Sequence, residues 1–141
     1  MDLTRVETKA VKARVDELAK APGVVFDLRG YPHGDASAIV AHLLMAPGRT
    51  TAQLPLPGRP DQEGMTWMYR GWKLQPAEPR IEGKVVFITG SMAISESETV
   101  LGFVEGTGLA EILGGPTAGA NGNMFLVTVG GYKITGTGLR V

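Results

Sequence analysis

Four consecutive residues, Ser95-Glu96-Ser97-Glu98, come shortly after the apolar run KVVFIT and just before a second apolar face begins. A hydroxyl at a helix N-terminus can act as a nucleophile. Free backbone N–H groups and the positive end of the helix dipole stand ready there for a developing oxyanion. The same four residues spell the capping box S-x-x-E, in which Ser95 accepts from the Glu98 N–H and the Glu98 carboxylate returns to the Ser95 N–H. On local pattern alone, the cap is the simpler reading. A serine nucleophile also needs a base. The chain has two histidines: His33 in the turn YPHGD, with Asp35 two residues on as an orienting group, and His42 at the rim of an apolar helix face. A turn histidine is commonly just solvated, and packing is the role expected of His42. Glu98 is a second candidate base, in competition with its cap role. Asn121 and Asn123 are candidates for orienting a substrate, although Asn-Gly pairs are turn formers first. No cluster has metal-ligand spacing, and the glycine-rich loops lack the lysine of a phosphate-binding loop. Neither metal nor cofactor is expected.

The elements that must position these residues read as alternating strands and helices. LTRVETKAVKARVDELAKAPG predicts an amphipathic helix, with Leu3, Val11, Val15 and Leu18 near one face and Pro22-Gly23 as the stop. GVVFDLR is a continuously apolar strand of the kind found in sheets covered on both faces. DASAIVAHLLMA predicts a helix capped by Asp35 or Ser37. Pro47 to Gly64 is a proline-rich loop, and MTWMYRGWKL alternates weakly as a strand showing Trp67, Tyr69 and Trp72, read as aromatic packing on a core edge. KVVFIT is the second buried strand, ESETVLGFVEG the helix after it, LAEILG a third strand, and MFLVTVGGYKITGTGLRV a hairpin with a terminal extension. Strand, helix, strand, helix, strand predicts a parallel α/β sheet. In such sheets, sites form where strand C-terminal ends meet helix N-termini. The two junctions are DLRGYPHGD and TGSMAISESE.

The bulk composition narrows the partners. At 141 residues, with 43% hydrophobic and 20% charged residues, the chain fits one globular domain. Fourteen basic residues cancel fourteen acidic ones, so no field favours nucleic acid. The absence of cysteine excludes disulfides, thiolate metal sites and a cysteine nucleophile, but leaves the compartment undetermined. No apolar run reaches a membrane span and Met1 opens a polar segment, so a soluble chain without a signal peptide or membrane contact is expected.

From VVFDLRGYPHG onward the chain resembles the serine peptidases of the C-terminal processing and tricorn type, which include the interphotoreceptor retinoid-binding modules. DLRGYPHG is similar to the family's D-L-R-x-N-x-G-G turn, SESE to its S-A-S-E, whose first serine is the nucleophile, and GGPTAGANGN to its G-E-x-T-x-G loop. The resemblance implies a Clp protease/crotonase-like α/β fold: a mostly parallel sheet with flanking helices and a C-terminal β-hairpin. It implies hydrolysis of peptide or simple ester bonds through an acyl-enzyme on Ser95, and an oxyanion hole from the N–H groups of Glu96 and Gly34. It also implies relatives that are often exported. The match departs from the family at Ala120, where the processing peptidases carry the lysine that deprotonates the serine. The histidine and glutamate used by the tricorn branch lie outside the sequence. Residues 1–141 thus read as one catalytic-type domain, partial relative to the family. The competing expectation is a catalytically silent module of the same fold that binds a ligand or partner; a remoter one is acyl-thioester chemistry of the crotonase kind. Because the family's first strands are missing, GVVFDLR predicts an unpaired sheet edge, and with it a homo-oligomer.

Overall fold

The computed structural model describes residues 1–49, 53–56, 66–69, 71–122 and 124–137, with the backbone alone for 53–56, 66–69, 124, 125 and 137. In chain order the elements are α1 (Thr8–Lys20), β1 (Gly23–Asp27), α2 (Ser37–Ala41), β2 (Gly48–Arg49), β3 (Gln53–Leu56) and β4 (Thr66–Tyr69). They continue with β5 (Lys73–Leu74), β6 (Lys84–Thr89), α3 (Glu96–Thr107), β7 (Glu111–Gly114), β8 (Met124–Val129) and β9 (Tyr132–Thr137).

The β-branched and aromatic runs pair as the sequence predicts. β1, β6 and β7 form a parallel three-stranded sheet in the order β1-β6-β7. Its register sets Val24 beside Val85 and Phe26 beside Phe87, and the two phenylalanine rings lie 5.2 Å apart at the centre of the core. Val11 and Leu18 of α1, Ile39 and Val40 of α2, and Val100, Phe103 and Val104 of α3 close over the same cluster. β8 and β9 form the expected hairpin. Its two-residue turn, Gly130-Gly131, has both φ angles positive, which glycine adopts without a steric penalty.

Four details differ from the sequence reading. The first helix begins only at Thr8, because the segment before it runs beside β1: Asp27 N–H donates to Met1 O and Leu3 N–H to Asp27 O. The upper end of the β1 edge is therefore covered by the chain itself and is not bare. Burial alternates along β1, so Val25 (48% exposed) and Leu113 of β7 (49% exposed) leave the second face of the sheet partly open. Coverage of both faces is not what these residues show. α2 is a single short turn of helix. Finally, MTWMYRGWKL is not one strand. It divides into β4, paired with β3, and β5, paired with β2 within the region read as a loop.

Candidate active site

The link from β6 into α3 ends at Ser95, and its backbone is unusual. With φ 57° and ψ −107°, Ser95 is the one non-glycine residue with positive φ among the described residues. A side chain in this region of the map is crowded by its own backbone, at a cost of about 1–3 kcal/mol. An ordinary helix cap has extended dihedrals and carries no such strain. Both arms of the capping box are present: Glu98 Oε2 accepts from the Ser95 N–H at 3.0 Å, and the Ser95 side chain faces the Glu98 N–H without closing a hydrogen bond of good geometry.

The strain is held by what Glu98 reaches. Its carboxylate also accepts from Gly119 N–H at 2.7 Å and from Ala120 N–H at 3.1 Å, tying the PTAGAN loop to the start of α3. The loop returns the contact, since Ala120 O accepts from Ser95 N–H at 3.2 Å and Ala118 N–H donates to Ala93 O at 2.9 Å. Both Glu98 oxygens are thus occupied by backbone donors. On the other side, the fully buried Ser97 donates its hydroxyl to Gly30 O at 2.6 Å, docking α3 against the turn after β1. That turn is folded back by Arg29, whose guanidinium grips Asp27 (2.6 Å from Nη2 to Oδ2) and holds that carboxyl below its usual range.

A cavity of about 730 Å³ opens between these two junctions. Ser95, Glu96 and Asn121 line one side and Tyr31, His33 and Gly34 the other. The structure therefore brings the sequence-derived candidates to one place, with three qualifications. Asn123 lies outside the described residues. Glu98 braces the cavity from behind and does not line it. His42 stands apart, half-buried with Nδ1 2.9 Å from Pro79 O.

The neighbours of His33 correct the sequence reading. Asp35 does not orient it, because Asp35 Oδ1 accepts from both the N–H and the hydroxyl of Ser37 at the start of α2. The carboxylate nearest His33 is Glu7, at the N-cap of α1, with Oε1 3.7 Å from Nε2. Gly34 packs so closely on Thr8 that a Cβ would overlap the Thr8 backbone nitrogen. Among the described residues no acceptor meets the N–H of either Gly34 or Glu96. The Glu96 carboxylate accepts from Ala36 N–H at 3.0 Å, bridging the two junctions. Partial burial, aided by the nearby Asp35 charge, pushes the Glu96 carboxyl above its ordinary range despite that bond. Asn121 donates to the Thr99 hydroxyl at 2.9 Å, fixing its amide at the cavity wall.

Sequence reasoning missed the third wall. Trp72, Lys73 and Leu74 enter the cavity because the β2–β5 ribbon crosses beside α3, where Gly48 lies against the Phe103 ring. Only the weak alternation of MTWMYRGWKL hinted at it. Among the described residues no group of histidines and carboxylates could hold a metal ion, and no helix is long and apolar enough to cross a membrane.

A model of the family described as Peptidase family S41 matches residues 2–141. No curated protein matches the sequence. Among solved structures, a candidate peptidase from Parabacteroides merdae ATCC 43184 is similar with a TM-score of 0.68 at 13% identity, over 98% of this chain and 45% of that one. A photosystem II D1 C-terminal processing protease is similar with a TM-score of 0.68 at 22% identity, over 99% of this chain and 35% of that one. The chain thus spans less than half the length of either structure, and the likeness to both is one of fold.

Proposed function

From the membership of this chain in peptidase family S41, which the match over residues 2–141 establishes, we propose that it is a serine hydrolase. In this reading it cleaves peptide or simple carboxylic ester bonds through an acyl-enzyme on Ser95. The observation that carries it is the positive φ of Ser95 at a strand-to-helix turn. A nucleophile projected on such a turn stands clear of its own helix and beside free N–H groups. A cap needs none of that strain.

Attack by Ser95 Oγ on a carbonyl carbon places the developing oxyanion against the N–H groups of Glu96 and Gly34, which support the reading by lacking acceptors of their own. His33 shares the cavity and is the base of this reading; the proton it takes from Ser95 passes to the leaving group, and water then releases the acyl group. Glu98 acts as a strut for the turn rather than as a base, since its oxygens already accept from three backbone N–H groups. The Glu7–His33 pair is solvent-exposed and only partly directs the imidazole, so activated esters are cleaved far better than amides, whose nitrogen must be protonated to leave.

One feature favours a second reading, a silent binding module. Ala120 lies against the Ser95 backbone, and its methyl group can accept no proton. A fluorophosphonate probe separates the two. Covalent labelling of one site, mapped to Ser95 and lost in Ser95→Ala, is the result expected. No labelling under conditions that modify an ordinary serine hydrolase leaves the binding module as the function.

A further inference from the structure

The ionisable side chains Asp35, Glu96, His33 and Lys73 line the cavity, and they differ in how far each is already engaged. Asp35 is occupied by Ser37, and Glu96 is bonded to Ala36 N–H while its raised pKa weakens its hold on a negative charge. His33 faces Glu7. Lys73 differs from all three. Among the described residues its ammonium has neither a hydrogen-bond nor an ion-pair partner, and the residue lines the cavity.

Its setting makes this lysine a poor candidate for a merely solvated charge. Lys73 pairs across the ribbon with Arg49, so two like charges occupy directly opposed positions, an arrangement that disfavours the sheet. The Arg49 guanidinium is drawn off to Gly71 O at 3.0 Å, which leaves Lys73, among the described residues, as an unpaired cation lining the cavity. Its strand is held against α3, because Leu74 packs on the core and Gly48 meets the Phe103 ring. The aromatic rings of Tyr31 and Trp72 stand in the same cavity.

We propose that Lys73 is a specificity residue, and that the cavity takes acyl groups in which a carboxylate lies next to an apolar or aromatic portion. Acidic peptides and hemiesters of dicarboxylic acids fit this chemistry. The inference rests on the assignment of Ser95 as nucleophile for its catalytic meaning. Its binding content does not need turnover.

The test uses 3-phenylpropionate and its uncharged methyl ester, titrated into the Ser95→Ala protein and followed by tryptophan fluorescence, so that neither probe is consumed. An exposed ion pair supports a preference of about fivefold for the carboxylate. That preference should fall to parity in Lys73→Met, survive in Lys73→Arg, and shrink in high salt. Equal affinity for the two probes, or a preference that persists in Lys73→Met, overturns the proposal. Both variants are checked for an unchanged melting temperature, and Lys73→Arg keeps the comparison valid if methionine disturbs the ribbon. The two readings fail separately. A labelled Ser95 without carboxylate preference rejects this inference alone, and a carboxylate preference without labelling rejects the nucleophile alone.

Discussion

Ser95 occupies a conformation that glycine adopts freely, and this separates its contribution to stability from its contribution to chemistry. Ser95→Gly should stabilise the fold by about 1 kcal/mol, raising the melting temperature by roughly 3 °C, while abolishing fluorophosphonate labelling. Ser95→Ala should lose the labelling without the gain. A melting temperature unchanged in the glycine variant would mean that the turn is not strained. Glu96 gives a pH-dependent counterpart. Its carboxyl is raised by burial and by Asp35, so the folded state holds this proton more tightly than the unfolded chain does. Its ionisation therefore works against the fold. Stability from this group is present below the ordinary glutamate range and is lost as pH climbs through the raised value. Glu96→Gln keeps an oxygen for Ala36 N–H and cannot ionise. Thermal melts should coincide with the wild type at pH 4 and below, and lie about 1–3 °C higher near pH 8, a small difference because the group is partly solvated. A variant equally stable at both pH values would show that the carboxyl is not strained by its site.

At the scale of elements, three segments distant in sequence meet at the start of α3. Ser97 ties it to the turn after β1, and Glu98 ties it to the loop after β7. Each tie gives backbone groups a partner within the chain. Glu98→Ala removes a charged acceptor from three N–H groups and should cost about 2–3 kcal/mol, measured by urea unfolding. Labelling of Ser95 should slow in the same variant under native conditions, because the Ser95–Ala120 and Ala118–Ala93 backbone bonds alone then hold the turn at positive φ. A full loss of stability with unchanged labelling would show that the strain has another source. These elements also show how far the sequence is legible. β1, β6, β7, α3 and the hairpin follow from apolar runs, the S-x-x-E cap and Gly130-Gly131, all of which act over a few residues. The division of MTWMYRGWKL into β4 and β5 was not legible, because short strands are decided by the partners β2 and β3 and not by their own weak alternation.

For the whole molecule, the open surfaces decide association. Within the β8–β9 hairpin, Val127 pairs with Ile134 and Val129 with Tyr132, so all four share one face, and each is about half exposed or more. Val25 and Leu113 add apolar area on the open face of the sheet. Apolar patches of this kind favour contact with another chain. The expected homo-oligomer is therefore argued from the hairpin and the sheet face, not from a bare β1 edge, which Met1 and Leu3 cover in part. Sedimentation over a wide concentration range should show self-association that Val129→Thr with Tyr132→Thr weakens at least tenfold. A monomer at every concentration would mean that these faces stay in water.

By itself the sequence determined the order of the sheet strands β1, β6 and β7 and of the helices between them, the position of α3 and the placing of Ser95 at its start, since periodicity, capping and turn chemistry are local. It also marked His33, Gly34, Glu96 and Asn121, which the fold gathers around one cavity. Whether Ser95 was a cap or a nucleophile candidate stayed open, because the same four letters serve both. Only the tertiary structure adds the positive φ of Ser95, which an ordinary cap does not need. Ser95 takes this φ where Glu98 meets Gly119 and Ala120, more than twenty residues on. The same holds for Glu7 facing His33 in place of Asp35, and for Lys73 entering the cavity from a ribbon with no motif of its own. These pairings depend on how separate segments pack, and no local pattern encodes the distance between them.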